Sequence, residues 1–533
     1  MSLSDSIFIV DICQKMCDNS ITAIRRIRED FKMGKFKAGW AEVSITPEKR
    51  IGLAGQFAER ISEYVETPVT VTALAVESDG EQMIICSCDL VNIGDNLVRY
   101  VRETIKGMNS EIDTDKVILN AIHTHTSHLY NHSNVIGNSG ASLSRFHEIL
   151  DEYLPPEKQY QEKVTATGDD YMDPDESLEY LVDRIAKAAV SAWDKRKSAR
   201  YAKGFGRAAV GMCRRVRYSD GSAKMWGDTN MASCTELEGG NDSGIEMLFF
   251  YDENEKLTGV VANVACPAQV LEHRMFISSD YWGKVKILLR EKYGEDLFVL
   301  GLCSAAGDQC PRDMIRWVNP ESPIDDPNIE RNDYIERDAD PSMFDIKGSW
   351  LVGKRIVNEI EMALENVEKT YDEAIFKHEK LTVDLPLRRV TPKEYNDALE
   401  ALEKYASKVK DHISFEDNAK MHIHTGTVIR WEEQHTKDIF PVEVHIARFG
   451  DMAIATNPFE LFLDYGNQIR ARSRARQTIL IQLCCGSGGY LPTEKAEKGS
   501  HYSAYVTSGY VGHAGGEMLV RKTTEEINKL FCK

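Results

Sequence analysis

Apolar positions in this chain recur with two periods, one typical of strands and one typical of helices. Short apolar runs predict strands at FKAGWAEVSITP, TVTALAVES, QMIICSCDL and KVILNAI, in that order. Between the third and fourth runs, Leu97, Val98, Val101 and Ile105 share one face of a predicted helix that begins near Asp95. Strand, helix and strand in alternation is the pattern of an α/β protein.

The middle of the chain continues this alternation. Asp173 can cap a helix whose first turn holds Pro174, and a further helix is predicted from Asp280 to about Tyr293, before the strand LFVLGLC. IEMLFFYDENEKLTGVVANVAC predicts a hairpin around a polar turn. VEVHIARFGDMAIATN predicts a strand pair that turns at Gly450 and Asp451.

The later patterns complete the domain. WLVGKRIVNEIEMAL and PKEYNDALEALEKYASKVK predict amphipathic helices, a further helix is predicted over Pro458–Arg472, and TILIQLCCGSGGYLPT predicts a strand before a Gly-rich loop. We therefore predict an α/β fold of mixed β-sheet layers flanked by helices, over residues 37–533. A helical lead-in is expected over 1–36, and a polar insert or lid over 312–344.

Composition and charge narrow the class of protein. The chain has 533 residues, of which 42% are hydrophobic, and a formal net charge of −19. These values predict a globular protein with no general affinity for nucleic acid or anionic membranes. No apolar run approaches the roughly 18 residues that a membrane span needs. Asp11 interrupts the apolar run at the start, which we interpret as a helix rather than a secretion signal.

The 12 cysteines also bear on the setting of the protein. They lack the paired CxxC spacing of a zinc ribbon. Several lie inside apolar strand-like runs, where a free thiol acts as a small hydrophobic group. We therefore expect a reduced, cytoplasmic setting.

The densest candidate chemistry lies in NAIHTHTSHLY, where a predicted strand stops. His123 and His125 are two positions apart, so both rings can point the same way and approach one cation. A catalytic zinc needs about three protein ligands and one open position, and imidazole is a common ligand. An isolated HxH is more often a hydrogen-bonded loop pair, so these two residues alone do not decide.

A second HxH warns against over-interpreting the first. His422 and His424 in MHIHTGTVIR follow a charged helix and are predicted to open a strand. No carboxylate-bearing loop adjoins them, so we interpret them as an exposed or interface pair.

Three further stretches carry candidate groups. Glu460 in NPFELF is predicted near the first turn of a helix, where it either complements the helix dipole or is buried with a partner or a metal. Gly307 and Asp308 in GLCSAAGDQCPR end a strand and permit either a ligand approach or a tight turn. Tyr502 lies in a loop bounded by Gly and Ser.

The order of these stretches resembles a known family. GWAEVSITP, NAIHTHTSH, GMCRRV, ISSDYWG, CSAAGDQCPR, NPFELF and GYLPT followed by HYSAY are similar, in this order, to motifs of the neutral/alkaline (non-lysosomal) ceramidases. The resemblance covers roughly residues 37–525. It implies a ceramidase-like catalytic domain without the C-terminal immunoglobulin-like domain of the secreted ceramidases.

The resemblance also implies a zinc amidohydrolase. His123, Glu460 and Tyr502 match the positions of zinc ligands, and His125 matches a residue beside the bound water or substrate. In that chemistry, His125 could move a proton to the leaving amine. Tyr502 could stabilise the tetrahedral oxyanion.

Four more residues enter through the same resemblance. Ser278 and Asp280 in ISSDYWG match the family and are predicted to contact the substrate or hold the loop, Ser278 as a catalytic group. Arg215 and Asp308 are predicted to bind the substrate.

Three positions depart from the family pattern. The family's later zinc-binding histidine falls near Pro267, whose side chain has no ligand atom. Either Gln269 or His273 replaces it, or the zinc is lost. Phe459 stands where the family has a glycine, and Cys213 where it has an asparagine.

The expected function is a zinc-dependent hydrolase that cleaves an amide bond of a small, polar N-acyl substrate, because the chain and its 312–344 insert are rich in charge. The alternatives are a metal-dependent lyase or isomerase on a carbohydrate-type substrate, and a non-catalytic binding protein with a decayed zinc site. We expect a small-molecule substrate, no nucleic acid and no stable membrane association, and leave a homo-oligomer open. The loops after Ile122, Cys303, Asn457 and Cys485 are expected to converge on the site.

Overall fold

The structure is a computed structural model that describes residues 34–56, 59–130, 143–160, 168–229, 231–315 and 345–532. The predicted lead-in lies outside these ranges except for its last residues, where the first strand already begins at Gly34. The predicted insert lies outside them from residue 316 onward.

The described residues form 23 strands. They are β1 (Gly34–Ser44), β2 (Arg50–Ile51), β3 (Thr70–Ser78), β4 (Glu81–Cys88), β5 (Val117–Ala121), β6 (Tyr171–Met172), β7 (Lys197–Ser198), β8 (Arg200–Arg207), β9 (Met212–Cys213), β10 (Arg215–Tyr218), β11 (Ala223–Met225), β12 (Cys234–Leu237), β13 (Gly244–Tyr251), β14 (Leu257–Val264), β15 (Phe298–Cys303), β16 (Gln309–Cys310), β17 (Glu373–Ala374), β18 (Phe376–Pro386), β19 (Ile439–Phe449), β20 (Met452–Thr456), β21 (Glu460–Leu461), β22 (Gln477–Ile481) and β23 (Tyr490–Leu491).

Ten α-helices complete the described part of the chain. They are α1 (Asp95–Met108), α2 (Leu143–Tyr153), α3 (Pro174–Asp194), α4 (Asp280–Tyr293), α5 (Asp345–Glu365), α6 (Pro392–Ala406), α7 (Phe415–Glu433), α8 (Leu463–Arg472), α9 (Glu494–Gly499) and α10 (His513–Leu530). None of these helices is both long and apolar enough to cross a membrane.

Three sheets form the frame of the molecule. The first has the order β17-β1-β3-β4-β5, with β7 beside β1, the second β15-β14-β13-β8 and the third β18-β19-β20-β22. Each contains one parallel pair at an edge, namely β4 with β5, β14 with β15 and β20 with β22. The other pairs in these sheets are antiparallel, so the predicted mixed α/β architecture is confirmed.

Side chains from all three sheets meet in one apolar core. The first sheet contributes Leu74, Val76, Met83 and Ile85, the second Leu248, Phe250, Val261 and Leu302, and the third Phe449, Ile454, Ile479 and Ile481. Burial of this much apolar surface is the main favourable contribution to folding. It also fixes the three sheets against each other, and with them the loops at their ends.

Most predicted elements are confirmed. In α1, Leu97, Val98, Val101 and Ile105 are the buried residues. The Asp173 side chain accepts hydrogen bonds from two backbone N–H groups at the start of α3, as a helix cap does. The two predicted hairpins are β13–β14 and β19–β20.

Two local predictions were wrong. His422 and His424 lie inside α7 rather than at the start of a strand, because Ser414 caps a helix there by accepting from Asp417 N. Glu460 lies on β21 and not in a helix, which begins only at Leu463. Pairing of β21 with β23 holds this segment extended.

Backbone hydrogen bonds join the loops at the carboxyl ends of the edge strands. They run from Ala121 N to Leu483 O, from Gln482 N to Cys303 O, from Asn457 N to Ile481 O and from Ala268 N to Ile122 O, at 3.2, 3.0, 3.0 and 3.1 Å. The four loops that the sequence predicts to converge therefore do meet. Ligands of open α/β sheets bind at such carboxyl ends.

Candidate functional site

His123 begins the loop after β5 with its backbone in the left-handed region, at φ +70°. Such a conformation is uncommon outside glycine and persists where the surroundings hold it. Here the His123 backbone N donates to Leu90 O at 3.0 Å. Its ring Nδ1 donates to Val91 O at 2.7 Å, because a carbonyl oxygen only accepts.

The other ring nitrogen of His123 faces a carboxylate. Nε2 lies 3.5 Å from Glu460 Oε2, and both side chains are buried. Burial lowers the pKa of His123, although Glu460 acts in the opposite direction. The neutral His123 ring carries its proton on Nδ1 and has a lone pair on Nε2. Two hydrogen-bond acceptors, His123 Nε2 and Glu460 Oε2, therefore face each other.

Glu460 reaches this position through a close backbone contact with Gly307. A Cβ at position 307 would lie 2.3 Å from Glu460 O, so no larger residue fits without movement. Gly307 N also donates to Leu461 O at 2.8 Å. The loop after β15 thus fixes the strand that carries the carboxylate.

The donor set of His123 and Glu460 fits a zinc ion. Neutral imidazole nitrogen and carboxylate oxygen are both zinc ligands. A metal-binding histidine almost always donates its other ring N–H to a carbonyl or carboxylate, as His123 does to Val91. A cation between the two acceptors would satisfy both.

His125 lies beside His123, with ring centroids 4.8 Å apart. Neither of its ring nitrogens has a hydrogen-bond partner among the described residues, and both are buried. Its Nδ1 lies 3.7 Å from Glu272 Oε2. Burial, and then the neighbouring His123, Arg60 and Arg214, hold the pKa of His125 well below its usual value. A buried neutral base therefore stands next to the His123–Glu460 pair.

Arg60 ties the His125 loop to the Glu272 segment. Its guanidinium donates to His125 O and Ala54 O through Nη2, at 2.6 and 2.7 Å. Through Nη1 it donates to Glu272 O and Arg274 O, at 2.7 and 2.9 Å. One buried side chain thus connects three segments and fixes the distance between His125 and Glu272.

Tyr502 belongs to a group of polar side chains around Tyr490. Tyr490 stands opposite Glu460 in the β21–β23 pair, and its hydroxyl donates to the Tyr502 hydroxyl at 3.5 Å. Arg214 Nη2 donates to the same Tyr490 hydroxyl at 3.3 Å. Burial, and then Glu460, raise the pKa of Tyr490 well above its usual value. Tyr490 therefore remains a hydrogen-bond donor.

The segment that lacks the family histidine lies against the His123 loop. Ala268 N donates to Ile122 O, which places Pro267 and Gln269 next to the end of β5. Gln269 is buried, and neither amide atom has a partner among the described residues. Burial, and then Arg274, lower the pKa of His273 to about 4. A ligand role for Gln269 or His273 stays a prediction.

Ser278 and Asp280 have the contacts of residues that hold the loop. The Ser278 hydroxyl contacts Thr67 Oγ1 and donates to Glu66 Oε2, and its carbonyl accepts from Thr124. Asp280 accepts from Leu271 N at 2.7 Å. Both residues are almost completely buried, and the predicted contact of Ser278 with reacting atoms and of Asp280 with substrate stays a prediction.

Arg215 and Asp308 are also engaged inside the protein. Arg215 is completely buried and pairs with Glu238 at 2.6 Å, and its predicted substrate contact stays a prediction. Asp308 Oδ1 accepts from Leu463 N at 2.9 Å. Burial raises the pKa of Asp308 to about 6. Asp308 therefore helps to orient the start of α8, and its substrate role stays a prediction.

Another group of possible metal donors lies apart from these residues. The ligand atoms of Glu443, His445 and Cys485 lie within 4.8 Å of one another, in the part of the chain that the structure describes. Arg102 donates to both carboxylate oxygens of Glu443, at 2.9 and 2.6 Å. Burial raises the pKa of Cys485 to about 12. This geometry favours a buried ion pair over a metal site.

Two solved structures share this architecture. A neutral ceramidase from Pseudomonas aeruginosa superposes with a TM-score of 0.61 at 15% identity, over 93% of this chain and 75% of that one. A ceramidase complexed with C2 gives a TM-score of 0.62 at 14% identity, over 93% and 76%. The chain has a ceramidase-like fold. No protein-family model and no curated protein sequence matches it.

Within this ceramidase-like fold, sequence reasoning missed three residues that shape the site. Arg60 and Glu272 are charged residues in loops without periodicity, and nothing local reveals that one fixes the other. Gly55 was also missed, although a Cβ there would lie 2.5 Å from His125 Cγ. The glycine pair in GLAGQ is the one signal that could have pointed to a close backbone approach.

Proposed function

We propose that the protein is a zinc-dependent hydrolase that cleaves the amide bond of a small, polar N-acyl compound. The observation that carries this proposal is the 3.5 Å approach of His123 Nε2 to Glu460 Oε2, with the Nδ1 proton committed to Val91 O. The ceramidase-like fold supports the proposal, because the solved proteins that share it are named as ceramidases.

His123 and Glu460 would hold the metal, with Tyr502 and Gln269 as further candidate ligands. When bound, zinc supplies a Lewis acid that polarises a carbonyl oxygen and makes water a nucleophile near neutral pH. The remaining chemistry belongs to the side chains around this pair.

His125 would act as the general acid–base group. It is buried and neutral, so it can accept a proton from the attacking water and deliver it to the leaving amine. Glu272, 3.7 Å from Nδ1, would stabilise the imidazolium that exists between these two transfers. Arg60 would act as a positioning residue through its bonds to His125 O and Glu272 O.

Tyr490 and Tyr502 would stabilise negative charge on the carbonyl oxygen during attack. Their hydroxyls lie 3.5 Å apart, and burial keeps Tyr490 protonated. Fixed donors that point at developing charge in a buried site are among the strongest contributions to catalysis.

The side chains near the site favour a polar substrate. Arg60 and Glu272 lie against the His125 loop, and Arg214 and Asp308 lie against or next to Gly307; all four are buried charged residues. Charged side chains are seldom fully buried unless they are paired, and ligand sites use a few such groups to fix orientation. A polar substrate can form hydrogen bonds with such groups, whereas a long aliphatic chain cannot.

The proposal is tested by release of primary amine from N-acyl compounds. The protein is incubated with N-acetylglycine, N-acetylglucosamine and a short-chain N-acyl amine in water enriched in oxygen-18. Hydrolysis predicts amine release and one labelled oxygen in the carboxylic acid product.

Two histidine variants give the matched comparison. His123→Ala is expected to abolish release, whereas His435→Ala, an exposed histidine on the turn after α7, is expected to leave it unchanged. Amine release that persists in His123→Ala contradicts the assignment of this site. Product formation without incorporation of labelled oxygen contradicts hydrolysis.

A further inference from the structure

Arg214 is a buried cation without an ion-pair partner among the residues that the structure describes. Arg214 is only 4% exposed. Its described hydrogen bonds go to two neutral oxygens, Gly307 O at 3.0 Å and the Tyr490 hydroxyl at 3.3 Å. Nε has no partner, and no carboxylate of the described residues lies within 4.0 Å of the guanidinium. A buried charge of this kind is costly unless a partner is supplied.

Aromatic rings hold the guanidinium in place without neutralising it. Arg214 Cζ lies 5.7 Å from the centroid of Trp226 and 6.0 Å from that of Tyr490. Arg312 Cζ lies over the same Trp226 ring at 4.4 Å. Ring faces attract cations but supply no acceptor for the N–H groups. Arg312, the second buried arginine at the Trp226 indole, adds positive charge and does not neutralise that of Arg214.

Its neighbouring arginine shows the contrast. Arg215 is bound on all sides, by Glu238 and by the backbone carbonyls of Ala496, Ser500 and Tyr502. The adjacent residue therefore demonstrates how this protein compensates a buried guanidinium that has a structural role. Arg214 lacks this compensation.

Arg214 also lies next to the proposed catalytic pair. The Tyr490 hydroxyl that it contacts belongs to the residue opposite Glu460 in β21–β23. The Gly307 carbonyl that it contacts belongs to the glycine that packs against Glu460 O. A ligand bound to Arg214 would therefore lie beside Tyr490 and Gly307, the two residues that neighbour Glu460.

We propose that Arg214 binds a carboxylate on the substrate, so that the substrate class is an N-acyl amino acid or a similar N-acyl acid. This inference rests on the proposed hydrolase function and names its substrate class. A carboxylate accepts two parallel N–H bonds from one guanidinium, which would satisfy the donors that the protein leaves unpaired. Arg214 is thus the residue that sets specificity for an acid over a neutral amide.

A carboxylate fits better than a phosphate. Arg214 contributes one charge, and the Trp226 and Tyr490 rings beside it carry none. The charge of Glu460 acts on the same guanidinium and would repel a dianion more than a monoanion. Dianion binding would require a larger cluster of donors than the described residues provide.

The inference is tested by calorimetric binding of a matched pair of ligands. N-acetylglycine carries the carboxylate, and N-acetylglycinamide replaces it with a neutral amide of the same shape. We expect the acid to bind wild-type protein at least tenfold more tightly than the amide. Arg214→Gln should abolish this difference, and Arg214→Lys should retain part of it.

Arg217→Gln is the matched control, because Arg217 lies on the neighbouring strand and its pair with Glu236 is partly exposed. This variant should keep the full preference. Thermal unfolding of each variant confirms that it folds. Equal binding of acid and amide to wild-type protein, no binding of either, or an unchanged preference in a folded Arg214→Gln overturns the inference.

The binding measurement and the amine-release assay together separate this inference from the proposed function. Arg214-dependent binding of N-acetylglycine without amine release supports the carboxylate site and contradicts the hydrolase. Amine release from neutral N-acyl compounds without any preference for the acid supports the hydrolase and contradicts the carboxylate site.

Discussion

His123 Nε2 lies 3.5 Å from Glu460 Oε2, although the two residues follow strands of different sheets. His123 follows β5 of the first sheet, and Glu460 follows β20 of the third. Their distance is therefore set by the apolar core that the sheets share and by the hydrogen bonds between their loops. The candidate site is a property of the whole fold and not of any one motif.

The replacement Gly55→Ala should disturb His125 directly. Gly55 has φ +97°, and a Cβ there would lie 2.5 Å from His125 Cγ. The left-handed backbone conformation costs a residue with a Cβ about 1–2 kcal/mol. We expect Gly55→Ala to lower the free energy of unfolding by more than this amount. Urea unfolding measures this loss.

Gly80→Ala is the control for that measurement. Gly80 has φ +82°, and no atom that the structure describes beyond its chain neighbours lies within 4 Å of the position of its Cβ. The two variants therefore share the backbone strain, and only Gly55→Ala adds the clash. Equal destabilisation of both would show that His125 is free to move.

Arg215→Met should unfold the protein much more easily than Arg217→Met. Arg215 and Glu238 form an ion pair at 2.6 Å whose side chains are 0% and 5% exposed. Removing one partner of a buried pair costs about 3–5 kcal/mol. The Arg217–Glu236 pair is 24% and 50% exposed and should contribute about 0–1 kcal/mol.

Denaturant unfolding of both variants measures the difference. A loss below about 1 kcal/mol in Arg215→Met would contradict a structural role for the pair.

The stability of the protein should fall as the pH falls below 6.5, in part because of His128. Burial lowers the pKa of His128 from 6.5 to about 4, against the bond to Ile45 O. The neutral ring is held by Ser177 Oγ on Nδ1 at 2.6 Å and by Ile45 O on Nε2 at 2.7 Å. The His128 ring takes up a proton near pH 6.5 in the unfolded chain but only near pH 4 in the folded chain. The contribution of His128 to the free energy of unfolding is therefore complete above pH 6.5 and declines toward pH 4.

At pH 5 this single histidine should account for about 2 kcal/mol of the loss. The measurement compares the unfolding free energy at pH 7.5 and pH 5 for wild type, His128→Asn and His435→Asn. His128→Asn should reduce the pH dependence, and the exposed His435 should not. An unchanged pH dependence in His128→Asn would show that His128 titrates alike in both states.

Secondary structure with a strong local signal could be predicted from the sequence. The helix from Asp280 to Tyr293 has the predicted bounds, and Asp173 caps α3 as its position indicates. By contrast, the alternation of His422 and His424 suggests a strand, but these residues lie in helix α7. Contacts with distant segments stabilise the helix. His422 stacks on Phe146 of α2 with ring centroids 3.9 Å apart.

The candidate site could be predicted in part. The resemblance indicated His123, His125 and Glu460, and the structure brings these residues together. Arg60 and Glu272 could not be predicted, because their roles depend on bonds between distant loops that no local pattern encodes. For Ser278, the motif shows the residue types but not that its hydroxyl donates a hydrogen bond to Glu66.

The central claim is that His123 and Glu460 hold a metal, and metal content tests it most directly. Elemental analysis is made on protein purified without chelators or a histidine tag, for wild type, His123→Ala, Glu460→Gln and the exposed control His435→Ala. The account predicts about one zinc per chain in wild type and in His435→Ala, and its loss in the other two variants. No zinc in wild-type protein, or the same zinc content in all four proteins, would contradict it.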